Sequence, residues 1–252
     1  MNRILFEKAE ITDGVATFGG ERAEHVMNVL HGEVGQILKT GEIDGPIGTS
    51  VITAISRPPS SVLDPLITVS CAHAEKSLSP WVDLILAPPR PRVMKRLLPQ
   101  LATLGVGRIF LVGAKKVEKD FWGATLLKIE NYRPLLIDGL MQAGTSILPT
   151  LETRRNFRKF VKEELDTLFP SHTRIIAHPY GVEKGPVSSL SSHVSSPRLL
   201  LAIGPEGGWT DDEVALLEEH GFARYSLGAR ILRTDTATVA LLAQLMKEFD
   251  KC

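Results

Sequence analysis

The hydrophobic positions of this chain change their period near residue 75. Up to about residue 72 they come in short alternating or β-branched runs: NRILF (2–6), VATFG (15–19), GQILKT (35–40), TSVITAI (49–55) and LITVSCA (66–72). A period of two puts one face of a strand on a core. Asp13-Gly14 and Asp44-Gly45 stand between such runs, and Asp-Gly supplies the positive φ that a tight hairpin turn needs. HVMNVLH (His25–His31) is the only helical spacing in this part. Several short strands with one helix predict a small β-barrel over residues 1–73. SRPPSSVLDP (56–65) reads as a loop inside it, and AEKSLSP (74–80) as the boundary to a second domain, residues 80–252.

From Trp81 the pattern alternates between strand and helix. WVDLILA (81–87) is a near-continuous apolar run, as in a strand buried on both faces. RVMKRLLPQLATLG (92–105) has helical spacing, with Pro99 as a kink and Gly105 as a C-terminal stop. RIFLVG (108–113) predicts a strand, and residues 123–143 a helix interrupted at Pro134. FRKFVKEELDTLF (157–169) predicts one amphipathic helix. TRIIAHP (173–179) and RLLLAIG (198–204) are strands. TDDEVALLEEHG (210–221) is a helix with Thr210 and Glu213 at capping-box spacing and Gly221 as its stop. RYSLG (224–228) is a last strand and TDTATVALLAQLMKEF (234–249) a last helix. Repeated β-α alternation predicts an α/β domain with a mainly parallel sheet.

Composition alters this picture little. At 252 residues, 43% hydrophobic and 23% charged, the chain has ordinary globular values. No apolar run approaches the roughly 20 residues of a membrane helix, and MNRILFEKAE lacks the form of a secretion signal. A cytoplasmic protein without a membrane partner is expected. Two cysteines, Cys71 and Cys252, do not make a disulfide framework or a Cys-based metal site, and no metal is expected.

Charge adds more. The formal net charge is zero, yet residues 1–72 hold five Lys/Arg and nine Asp/Glu, and residues 90–133 hold ten Lys/Arg and three Asp/Glu. RRNFRKFVK (154–162) extends the basic share. Two readings stand: the footprint of a phosphate backbone, or solvated helix faces whose cations meet acids after folding.

Ligands of open α/β sheets bind at the carboxyl ends of the strands. Three such ends carry unusual sequence: IIAHPYG (175–181), LAIGPEGGW (201–209) and YSLGARILRTDTA (225–237). The second is glycine-rich like a phosphate loop, but it has no Lys and no GxxxxGK[ST] or GxGxxG spacing. Glu206 would repel a phosphate, which also disfavours a nucleotide hydrolase. A cationic or neutral ligand suits it better. S-adenosylmethionine, with a sulfonium and an adenine seeking main-chain partners, is such a ligand, and glycines let it approach closely. A plain tight turn is the other reading. In the third stretch Gly228 permits a close turn, Ile231 and Leu232 would flank an adenine or pin the loop to the core, Arg230 and Arg233 offer cations, and Asp235 would cap the helix or serve a site.

IGPEGGWTDDEV followed by LGARILRTDTA resembles the RsmE family, 16S ribosomal RNA uracil-N3 methyltransferases of the SPOUT class. At lower strength the likeness extends over the whole chain: His25–His31 is similar to the family's HxxxVLR segment, Asp44-Gly45 to its DG turn, AHPYG to its first cofactor loop and LGVGRIFLV to its ELGV segment. The resemblance implies an N-terminal PUA-like barrel and a C-terminal SPOUT domain with a trefoil knot, forming a homodimer that acts on the small ribosomal subunit and not on DNA. S-adenosyl-L-methionine would be held by Ala177, His178 and Pro179, by Ile203, Gly204, Glu206, Gly207 and Gly208, and by Leu227, Gly228, Ile231, Leu232, Arg233 and Thr236. Arg233 would stabilise an enolate-like oxygen, with Glu206 or Asp235 as base or positioner. Arg230, His25, Arg90, Arg92 and Arg96 would contact RNA. The chain departs from the family pattern at His31 (usually Arg), Gln100 (commonly Lys), Thr103 (Glu) and Ser146 (often Arg). These are positions expected to face RNA or a partner. Methylation of a different RNA nucleotide, or a non-catalytic RNA-binding module, are therefore the alternative readings.

Overall fold

The computed structural model describes residues 2–56, 65–179 and 198–249. Most of the loop expected at 56–65, Tyr180 and Gly181 of the first ligand loop, and Cys252 lie outside the described residues. The chain divides into two compact units, Met1–Ser79 with Ile137–Leu148, and Pro80–Leu136 with Pro149–Cys252. Among the described residues no helix is long and apolar enough to cross a membrane.

The first unit is built on one sheet of six strands, β1 (Ile4–Phe6), β2 (Ile11–Thr12), β3 (Val15–Phe18), β4 (Ile37–Glu42), β5 (Ile47–Ser56) and β6 (Leu66–Glu75), with α1 (Gly20–Asn28) between β3 and β4. The spatial order is β1-β4-β5-β6-β3-β2. Only β1 and β4 run parallel. Alternation does what it predicts: in β3 the buried residues are Ala16 and Phe18, which join Phe6, Ala23, Val26, Ile52, Ile67 and Val69 in one core. Asp13 and Gly14 take φ of 50° and 76° at the β2–β3 turn, as a primed hairpin turn requires. The helix expected at 25–31 starts earlier and stops at Asn28; His31 adopts φ 51°.

The residues around Ser146 belong to this unit. Ser146 is fully buried. Its Oγ donates to the Gly45 carbonyl at 2.6 Å, its N–H to Ser77 Oγ at 2.9 Å, and its carbonyl accepts from Asp44 N at 2.8 Å. Its position, expected to face RNA or a partner, is instead an interior joint with no space for a long cation.

The second unit contains β7 (Val82–Leu86), α2 (Pro91–Thr103), β8 (Val106–Val112), the start of α3 (Ile129–Ala143), β9 (Thr150–Arg154), α4 (Phe157–Glu163), α5 (Leu165–Leu168), β10 (Thr173–Ala177), β11 (Leu199–Ile203), α6 (Asp211–Glu219), β12 (Ala223–Tyr225) and α7 (Thr234–Phe249). Its sheet has the order β12-β10-β11-β7-β8-β9, and every neighbouring pair is parallel. All carboxyl ends therefore lie on one edge. The central strands β7 and β11 are buried at every position, which explains their unbroken apolar sequence.

Several element boundaries differ from expectation. α2 starts on Pro91 at its first turn and runs through Pro99, burying Met94, Leu97, Leu98, Leu101 and Ala102. It ends at Thr103, with Gly105 at φ 79° just beyond. α3 begins at Ile129, because residues 119–127 form two short 3₁₀ turns. The helix expected over 157–169 breaks at Glu164 (φ −115°, ψ −34°), whose carboxylate reaches Arg154 Nε at 2.7 Å. Strand β9 has too little apolar character to signal itself. β12 ends at Tyr225, leaving Ser226–Gly228 in a loop.

At the amino edge one carboxylate ties the sheet together. Asp83, on β7, is fully buried. Oδ1 accepts from Arg108 N (2.9 Å) and Arg198 Nη2 (2.6 Å). Oδ2 accepts from Arg108 Nε and Nη2 (2.9 and 2.7 Å) and lies 3.0 Å from His172 Nε2. Burial pushes this carboxyl upward, but hydrogen bonds from His172 and Arg108 and the charges of Arg198 and Arg108 outweigh it, leaving the group below its ordinary value of 3.8.

Removing one partner of a buried ionic network leaves the others uncompensated, at a cost of about 3 kcal/mol. Asp83→Asn is expected to lose stability of that order in urea unfolding at pH 7. The sign with pH follows from the depressed native value. The stabilisation is complete above the unfolded value and is lost as pH falls through the native one, so the variant should have a flatter acid limb. Equal midpoints for both proteins at pH 7 would show that the network contributes nothing.

Candidate functional site

Three loops at the carboxyl edge surround a cavity of about 650 Å³, a size that suits a small organic ligand. The first leaves β10 at Ala177. His178 N donates to the Tyr225 carbonyl at 3.0 Å, which extends the β10–β12 ladder by one bond and fixes where His178 and Pro179 stand. The second leaves β11 at Ile203, whose carbonyl accepts from Ala87 N at 2.9 Å. The third leaves β12 and carries Leu227, Gly228, Arg230, Ile231 and Leu232 to the cavity wall.

The glycine loop is held at both ends. A Cβ on Gly204 would stand 3.0 Å from the Trp209 ring, so glycine lets the indole pack beneath the loop. Gly208 adopts φ 70°, and its N–H closes a turn on the Pro205 carbonyl at 2.8 Å. Nothing lies within 4 Å of the Cβ position of Gly208 or of Gly228 (φ 122°); at both the main chain is bare. The expected capping box is present: Thr210 and Glu213 bond reciprocally at the start of α6, with Glu213 Oε2 accepting from Thr210 N at 2.9 Å. The other oxygen of the buried Glu213 accepts from Lys115 N at 2.7 Å. That bond joins the loop after β8 to the first turn of α6, directly after the glycine loop.

Lys116 consequently reaches the cavity, and its Nζ donates to the Gly207 carbonyl at 2.7 Å. The glycine stretch lacks a Lys in sequence; the fold supplies one from 91 residues away. The cavity is also lined by Trp209, Tyr225, Thr234 and Leu241, none of which the sequence singled out. Burial pushes the Tyr225 hydroxyl up, partly offset by a hydrogen bond with Gln244. Thr234 is buried, its Oγ1 3.4 Å from the Gly204 carbonyl.

The expected cofactor residues thus converge, with two exceptions, Arg233 and Thr236. Ala177, His178, Pro179 and Ile203 line the cavity, as do Gly204, Glu206, Gly207 and Gly208 and the third-loop residues already named. Arg233, Asp235 and Thr236 are not among the lining residues. Arg233 and Thr236 are exposed. Asp235 Oδ1 accepts from Thr236 N at 2.9 Å, and Oδ2 lies 3.7 Å from Arg96. Ile231 is 71% exposed and Leu232 36%, so neither is pinned to the core. Among the residues expected to contact RNA, Arg230 lines the cavity. Arg90 Nε donates to Glu118 at 3.0 Å and feels the charge of Glu206, and Arg92 is exposed on α2. His25 is in the other unit, with a buried Nε2 on α1.

Comparison with known proteins agrees with this arrangement. Residues 76–246 match the model of the RNA methyltransferase domain family. The chain is 32% identical to ribosomal RNA small subunit methyltransferase E of Treponema pallidum, over 98% of this chain and 91% of that protein. A methyltransferase from Legionella pneumophila, solved with its bound cofactor SAM, superposes with a TM-score of 0.72 at 25% identity, over 98% of this chain and 97% of the other. A ribosomal RNA small subunit methyltransferase E from Neisseria gonorrhoeae shares the fold, with a TM-score of 0.70 at 20% identity over 99% and 98% of the two chains. A mixed α/β methyltransferase fold, a ligand-sized cavity at the carboxyl edge and full-length relatives lead to one assignment: the chain belongs to the RsmE family of RNA methyltransferases.

Proposed function

We propose that this chain transfers a methyl group from S-adenosyl-L-methionine to N3 of a uridine in the 16S RNA of the small ribosomal subunit. The observation that carries the reading is the cavity wall: bare main chain at Gly208 and Gly228, exposed apolar surface at Ile231 and Leu232, and a carboxylate at Glu206. Such a wall fits an adenine-bearing cation. When bound, the donor supplies an electrophilic methyl group on a sulfonium.

The loops would hold the donor by main-chain groups near Ile203, Gly204 and Leu227, with Ile231 and Leu232 against the adenine. Uracil N3 carries a proton, and the chain has to take it up and stabilise the charge left on the flanking oxygens. Glu206 lines the cavity, whereas Asp235 is engaged with Arg96 and the Thr236 N–H. Glu206 is therefore the acceptor of the N3 proton in this reading, and Asp235 the positioner of α7. Arg233, exposed between the lining residues Leu232 and Thr234, is assigned to one flanking oxygen. Arg90, Arg92 and Arg96 would meet phosphates; exposed ion pairs such as Arg90–Glu118 are weak enough to exchange for them.

The same reading takes the first unit as a PUA-like RNA-binding barrel and the second as a SPOUT domain whose C-terminal segment forms a trefoil knot, working as a cytoplasmic homodimer. The bond from Thr234 at the start of α7 to Gly204, and the contact of α7 with α2, accord with a tucked C-terminal segment. Ser146 loses its weight as a sign of a different target, since it serves the interior of the first unit.

The test is incubation with labelled donor and small subunits from cells lacking this protein, followed by mass-spectrometric mapping; label on one uridine N3 is expected. Gly208→Val puts a branched side chain at φ 70° and into the cavity, and should weaken donor binding at least tenfold by calorimetry. Undiminished affinity would remove the glycine loop from the donor site. Arg233→Ala should lower the transfer rate about 10²- to 10³-fold with donor affinity kept. A normal rate would cancel that assignment.

A further inference from the structure

We infer that Lys116 is a second catalytic cation of this site, its ammonium stabilising the negative charge on one of the two oxygens that flank uracil N3. The inference rests on the proposed function above. It starts from two independent constraints on one side chain. The Glu213 carboxylate fixes the main chain at Lys115 N, 2.7 Å away. One residue on, the aliphatic stem of Lys116 lies over Gly207, where a Cβ would come within 2.9 Å of Lys116 Cδ. Nζ stands at the Gly207 carbonyl, 2.7 Å away, on the wall of the cavity. A single carbonyl uses one of the three protons that a lysine ammonium donates. The others remain for a ligand.

Lys116 is exposed, and its one bond is to the loop that carries Glu206, the carboxylate assigned to take the N3 proton. As that proton passes to Glu206, negative charge spreads from N3 onto O2 and O4. The N3 lone pair then forms the bond to the methyl carbon while the carbon–sulfur bond breaks, and sulfur leaves as a neutral thioether. Two oxygens gain charge before the transfer; the proposed function assigns Arg233 to one, and Lys116, on the cavity wall, serves the other. Other titratable or charged groups lining the same cavity are Glu206 and Asp211 on the glycine loop and α6, His178 after β10, and Arg224, Tyr225 and Arg230 on and after β12; the loop after β8 also carries Lys115 and Glu118. Arg224 is engaged by both oxygens of Glu218.

The experiment compares the full-length parent with Lys116→Gln and Lys116→Arg. Gln keeps a hydrogen-bond donor for Gly207 and loses the charge. Single-turnover methyl transfer to small subunits is followed as a function of pH, and donor affinity is measured by calorimetry. The expected result for K116Q is donor affinity within threefold of the parent and a rate about 10²-fold lower at pH 7. The deficit should shrink steadily as pH rises, because without the ammonium N3 loses its proton only at a higher pH. K116R should recover at least a tenth of the parent rate. A deficit that is the same at every pH would make Lys116 a strut for the glycine loop and overturn the inference. So would an undiminished rate, or a loss of donor affinity as large as the loss of rate. A parent that labels no uridine would instead overturn the proposed function, and the inference with it.

Discussion

The Asp83 carboxylate at the amino edge of the parallel sheet is the interaction on which the rest of the second unit depends. It is buried without access to water, and it gathers Arg108 from β8, His172 from the turn before β10 and Arg198 from the start of β11. A charge in that place is tolerable only because all its lone-pair directions are met. The consequence is geometric. β7, β8, β10 and β11 are pinned at one end, and since every pair in the sheet is parallel, their loops must leave together at the other. Beside this network β11 pairs with β7 in the register Leu199↔Val82, which brings the Ile203 carbonyl to the Ala87 N–H.

From that edge the site is assembled by a second buried carboxylate. Glu213 uses one oxygen within its own helix start and the other on a loop 98 residues earlier. Its local bond was legible as capping-box spacing, because it depends on three residues of separation and nothing else. Its remote bond was not, because sequence spacing does not say that β8 comes two places from β11 in the sheet. Lys116 was hidden for the same reason. It stood in a run of basic residues that suited phosphate binding as a group, and only the strand order shows that it belongs to the glycine loop.

The same division runs through the whole chain. The central strands were legible from hydrophobicity, the hairpin from Asp13-Gly14, and the three ligand loops from glycine and charge at strand ends, since each signal is local. β9 was not, because an edge strand needs little apolar surface. The break at Glu164 coincides with its bond to Arg154 on β9, ten residues earlier, a pairing that the helical period does not show. The segment 137–148 belongs to the first unit although it follows the opening part of the second, Pro80–Leu136, and Ser146 shows the effect on site reading. A residue that departs from a family pattern invites a functional explanation, yet its three hydrogen bonds to Gly45, Ser77 and Asp44 account for it fully.

Charge placement around the cavity has its own logic. The glycines at 204 and 208 have different causes: a Cβ on Gly204 would stand 3.0 Å from the Trp209 ring, and Gly208 takes a positive φ in the turn. The loop is held by the Trp209 contact, by the Gly208 N–H on the Pro205 carbonyl and by Lys116 Nζ on the Gly207 carbonyl. A rigid, bare loop presents fixed N–H and carbonyl dipoles, and such groups stabilise charge with little reorganisation. The Glu206 carboxylate stands on this frame, exposed at the cavity wall and within the field of Arg90.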